Sequence, residues 1–180
     1  MYTDSFLSAV QTRAARISVS ASAVRKQGEG IVDPAREFFN GLDLKQFAVQ
    51  KQEIFQKCLD EATDALRNRL PNPQEGWGIA RKLTNIFLRD ALYTTYLRDK
   101  FELHLSEAFL EVPLDSISAR RIYECTAAPR ELQKWKGVKY NNPENNLAYQ
   151  LVAKRIADKA QVARVHLDTY WWGMRIAAHE

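Results

Sequence analysis

In GWGIARKLTNIFL, residues 76–88, two cations stand side by side, Arg81 and Lys82. The glycines read as a turn running into a strongly apolar helix. The positive end of a helix dipole disfavours a cation by about 0.3–1 kcal/mol. A pair placed against that gradient is either a solvated couple snorkelling beside a buried helix or a pair with a chemical use. About thirty positions on, Asp115 follows the extended piece Val112-Pro113-Leu114. A residue before proline avoids the helical region, and Asp is a preferred N-cap, so Asp115 opens the helix SISARRIYECT.

Other reactive side chains read more plainly. His104, His166 and His179 lack metal-binding spacing. His166 and Asp168 lie two apart, so on a helix they do not face each other, and the histidines are structural or surface residues. Asp60, Glu61 and Asp64 read as a solvated helix face. Cys58 and Cys125 read as small buried hydrophobes, and two cysteines exclude a four-cysteine iron–sulfur cluster. Arg130, Lys134, Lys136 and Lys139, interleaved with Trp135 and Tyr140, form a basic loop suited to phosphate contact or simply solvated. In Tyr170-Trp171-Trp172 the three rings must point in several directions, so Trp171 or Trp172 is a candidate base-pocket ring while another is core.

The elements that must position these groups all have helical spacing. The pattern predicts helices over about 5–26, from Asp33-Pro34 to Gly41, from Asp43 to about 70, and from 78 to 103. The loop Pro71–Gly76 separates the last two. Further helices follow Asp115 as far as Ala128-Pro129, run from Asn142-Pro143 to about Ala160, and cover ARVHLDTYWWGMRIA. No alternation of period two is long enough for a strand, so the expected fold class is all-α in a single helical domain of residues 1–180. With 46% hydrophobic and 27% charged residues the chain is neither disordered nor fibrous. The formal charge of +4 fits a nucleic-acid partner without requiring one. Charges interrupt the N-terminal segment and every apolar window, so neither a signal peptide nor a membrane span is expected. Sparse cysteines point to a reducing cytoplasm, nucleoid-associated in a prokaryote.

The stretch 76–123 resembles the helix-hairpin-helix DNA glycosylases, the superfamily of endonuclease III and the oxidised-guanine glycosylases. The likeness rests on the turn Gly78-Ile79-Ala80, the basic pair Arg81-Lys82, Asn85 in the following apolar helix, and Leu110-Glu111-Val112-Pro113-Leu114-Asp115 at a later helix start. Ala80 stands for the second hairpin glycine, Gly76-Trp77 for the usual Leu-Pro, and Ser116-Ile117-Ser118 where a histidine is common. The resemblance implies a helix-hairpin-helix glycosylase-like fold, with Lys82 as nucleophile and Asp115 as the assisting carboxylate. It implies that Gly76, Trp77, Gly78, Ala80 and Arg81 grip a phosphate of double-stranded DNA, and that no cofactor is needed. The physics agrees: a lysine partly out of water near positive dipole loses its proton more easily, and a fixed carboxylate stabilises the cationic sugar formed as a flipped base departs.

The function expected on these grounds is a DNA repair glycosylase with abasic-site lyase activity. The long span from Lys82 to Asp115 is closest to the oxidised-guanine branch, which makes an oxidised purine the expected substrate. Two readings from other classes stand beside it: a non-catalytic helical DNA-binding module, and a helical protein-interaction module.

Overall fold

Nowhere among the described residues is there a β-strand; the chain is all-α. The computed structural model describes residues 2–126 and 131–177, with side chains as far as residue 171. The expected helix end at Ala128-Pro129, together with Arg130, His179 and the Trp172 side chain, lies outside them.

Helix α1 spans Asp4–Ser18, capped by the Thr3 hydroxyl on the Phe6 amide. It ends well short of the expected residue 26. The reason lies in SVSASAV: the Ser20 hydroxyl accepts from the Ala23 amide at 3.3 Å and meets the Ser22 hydroxyl at 2.9 Å. Serines that bond to nearby backbone favour turns over helix. Residues 20–27 therefore wind as successive turns, and Lys26, Gly28 and Gly30 adopt positive φ.

Helix α2 is Val32–Asn40, with Asp33 in its first turn rather than at its cap. The long helix expected from Asp43 is divided. Asp43 caps a 3-10 turn, Leu44–Phe47, and α3 begins only at Gln52 and runs to Arg67. The break lets Leu44 and Phe47 both enter the core, where Phe47 meets the Phe55 ring edge-on at 5.9 Å.

Helix α4, Trp77–Tyr93, is apolar nearly all round and buried on most sides, as its composition predicts. The helix expected through residue 103 stops at Thr94, whose hydroxyl turns back to the Asp90 carbonyl at 2.8 Å. Helix α5, Thr95–Lys100, and a 3-10 stretch, Leu103–Phe109, follow. The chain then runs extended to Asp115 and enters α6, Ser116–Cys125. Helix α7, Pro143–Ala160, starts at an Asn142 cap with proline in its first turn. Helix α8 is His166–Ala177.

Two hydrophobic clusters result. The larger joins α1 to α5; the smaller joins α6, α7, Val112, Leu114, Leu167 and Trp171. Trp135 packs against both. Cys125 is exposed and Cys58 half-buried, against the expectation of two buried thiols.

Candidate active site

A cleft of about 650 Å³ opens where the two clusters meet. Its walls come from the end of α1, the serine turns, α4, the Pro113–Ile117 segment and α8. On α4, Lys82, Ile86 and Arg89 line it, at positions i, i+4 and i+7 of one helical face. Asp115 faces the same space. The chain thus brings into one cleft the amine and the carboxyl group that the sequence separates by 33 positions.

Lys82 is 9% exposed, and its Nζ donates to the Ala23 carbonyl at 2.7 Å. It joins no ion pair among the described residues. Burial pulls its pKa below the ordinary lysine value, partly opposed by the charges of Asp115 and Asp168. Asp115 is held by a capping box. Its Oδ1 accepts from the amides of Ile117 at 2.8 Å and Ser118 at 2.9 Å, while the Ser118 hydroxyl accepts from the Asp115 amide at 2.9 Å. The preceding proline keeps the entry extended, so the carboxyl group is aimed by backbone rather than by a mobile rotamer.

Asp168 of α8 also lines the cleft, 4% exposed and ion-paired with the Arg89 guanidinium. Burial pushes its pKa up to about 6; Arg89 and Lys82 oppose the rise, whereas Asp115 and Asp90 add to it. Arg89 also binds Asp90 at 2.8 Å, and the Ser18 hydroxyl lies 2.8 Å from the other Asp90 oxygen. Lys82 is therefore faced by two carboxyl groups from different elements, with a third carboxyl and a guanidinium one layer behind.

Sequence reasoning missed this second layer. Arg89 stands seven residues after Lys82, a same-face spacing that was readable. Asp168 carries no local signal; only the docking of α8 brings it near. His166, two residues away, points elsewhere and bridges Tyr93 and Glu107, each at 2.7 Å.

The group expected to grip a phosphate turns inward instead. Arg81 is 2% exposed. Its guanidinium binds Glu111 at 2.9 and 3.0 Å, Asp60 at 2.7 Å and Thr63 at 3.0 Å. Four of its five N–H groups are thereby engaged inside the protein. The half-buried Trp77 ring lies 5.5 Å from that guanidinium and packs against it. Gly76 and Ala80 are buried. Gly78 is small for a packing reason: a Cβ there would sit 2.0 Å from the Val138 carbonyl oxygen. Trp171 belongs to the smaller cluster and does not line the cleft. In the basic loop, Lys139 is committed to Glu75 at 2.8 Å. Asp60, read as solvated, gives one oxygen to Arg81.

Among the described residues no group of three His, Cys, Asp or Glu is arranged to hold a metal ion, and no helix is long and apolar enough to cross a membrane. In comparisons with known proteins, no family model, no curated protein and no solved structure matches the chain.

Proposed function

We propose that the chain is a DNA glycosylase with abasic-site lyase activity, acting on a base flipped out of duplex DNA. One observation carries the reading: a buried amine of lowered pKa opens onto the same cleft as a backbone-held carboxyl group. The cleft falls within the range of about 300–1,000 Å³ typical of ligand sites, and so has room for an extruded nucleotide.

In this mechanism neutral Lys82 attacks the sugar C1′ as the C1′–N bond breaks. The base leaves with the bonding pair and takes up a proton. Asp115 stabilises the positive charge that builds on the sugar. The ammonium formed at Nζ gives up one proton, and the nitrogen lone pair then opens the C1′–O4′ bond as O4′ takes up a proton, leaving a protonated Schiff base. Loss of the C2′ proton then expels the 3′ phosphate, and water hydrolyses the imine to regenerate the amine. With Arg81 withdrawn into the core, the exposed Arg25 and Lys26 at the cleft wall offer cations to the DNA backbone. An oxidised purine is the substrate class suggested by the long span between Lys82 and Asp115.

The deciding experiment incubates the protein with duplex DNA carrying either an abasic site or an oxidised purine, then adds borohydride. A covalent adduct that Lys82→Gln abolishes is expected. If the intact chain yields no adduct but binds DNA in a salt-sensitive way, the non-catalytic DNA-binding reading replaces this one. The bond from Lys82 Nζ to the Ala23 carbonyl favours that alternative, because it occupies the amine.

A further inference from the structure

The Lys82 and Asp115 carriers are tied together by a knot of buried polar groups centred on Glu111. Glu111 is 3% exposed. Its Oε1 accepts from Arg81; its Oε2 accepts from Arg81 at 2.9 Å, Asn85 at 3.0 Å and Asn146 at 3.1 Å. Arg81 immediately precedes Lys82, and Asn85 lies one turn beyond it. Glu111 stands four residues before Asp115 in an extended segment. The next residue, Val112, is clamped at both backbone groups by the Gln150 amide of α7, at 3.1 and 2.8 Å. Arg164, just ahead of α8, donates to the carbonyls of Leu110 at 3.0 Å and Phe109 at 2.8 Å. So α4, the segment leading to Asp115 and α7 meet at one carboxylate, and the approach to α8 is tied to the backbone just before it.

Packing alone does not require this. A buried ion pair is often no more stabilising than a well-packed apolar contact of similar volume. What a bidentate pair adds is a fixed distance and angle between two backbones. We infer that Arg81, Glu111 and Asn146 are positioning residues, whose bonds hold the α4 backbone at Lys82 in register with the Asp115 carboxyl group. The inference deepens the glycosylase reading and rests on it for its chemical consequence, though not for its geometry.

The test has one arm for each. In protein labelled with 15N at lysine, the Lys82 Nζ resonance, assigned by Lys82→Arg, is titrated in the intact chain, in Glu111→Gln and in Asn146→Ala. Lys82 is faced by Asp115 and Asp168, with Arg89 behind the latter. If the clamp sets the approach of Asp115, both variants move the Lys82 midpoint further down, by about half a unit or more. Asn146→Ala keeps every charge, so its shift reads geometry alone, and it serves where Glu111→Gln does not fold. In the second arm, borohydride trapping on abasic duplex DNA slows by about tenfold to a hundredfold, the cost of a misplacement on the order of 1 Å. Binding to DNA carrying a non-reactive abasic analogue stays within about twofold, because the clamp touches no DNA. Folded variants with an unmoved Lys82 midpoint and an unchanged trapping rate overturn the inference. Variants that move the midpoint, in a chain that never traps DNA, overturn the glycosylase reading and leave the clamp standing.

Discussion

Arg81 and Lys82 are neighbours on one helix, both cationic in type and both buried, and the structure treats them in opposite ways. The Arg81 side is a closed knot. Burial would lower its pKa, but Glu111 and Asp60 more than compensate and raise it. Glu111 in turn would be raised by burial, yet Arg81, Arg164 and Asn146 hold it below the ordinary range. Four of the five Arg81 N–H groups meet acceptors within the protein, and the guanidinium does not line the cleft. The Lys82 side is an open cleft. Its amine has one carbonyl partner, its pKa falls, and the nearby Asp168 rises instead of falling. A buried charge becomes available for chemistry when its surroundings stop short of neutralising it.

The largest expected effect breaks the knot. Arg81→Met leaves Glu111 buried without its main partner, and should cost about 3–5 kcal/mol of stability. Lys82→Met strands no opposite charge of that kind and should cost less than about 1 kcal/mol. Urea denaturation of the two variants measures the contrast; equal losses would erase the distinction between the two regions.

A smaller effect separates them by pH. Asp168 has its folded pKa raised to about 6 from an ordinary 3.8, so the folded state holds that proton more tightly. Its contribution to stability is present at low pH and is lost as pH rises through that window. Glu111, being lowered, behaves in reverse: its contribution is present above about 4.5 and is lost as pH falls below it. Asp168→Asn should therefore gain on the parent chain by on the order of 2–3 kcal/mol between about pH 4 and pH 7. Denaturation midpoints across that range test this, and a pH-independent difference would show that Asp168 titrates as an ordinary carboxyl.

The smallest effect concerns Asp115. Asp115→Ala removes the capping box of α6 and should cost about 1 kcal/mol. The same substitution should slow borohydride trapping far more than that modest loss, by about a hundredfold. Trapping that tracks stability alone would reduce Asp115 to a helix cap.

Much of this molecule is legible along the chain. Pro71–Gly76, Asn142-Pro143 and Val112-Pro113-Leu114-Asp115 mark boundaries that depend on one residue's own backbone preference, and the structure places breaks there. The breaks that the pattern does not mark, at residues 19, 48 and 94, fall where serine or threonine hydroxyls compete for backbone or where a core needs two more side chains. The basic pair was visible as unusual; that its two members face opposite environments was not. Adjacent residues on a helix diverge by about 100°, and which arc meets a partner is settled by packing.

What the residue order determined by itself is therefore local: the all-helical class, the proline and asparagine starts, and the Asp115 cap, each set by interactions a few residues long. Only tertiary structure decided that Lys82 and Asp115 share a cleft, that Arg81 meets Glu111, and that Asp168 arrives from a helix 86 positions beyond Lys82. Those outcomes depend on solvent exclusion and on charges brought near by folding, and neither quantity exists until the chain has closed around them.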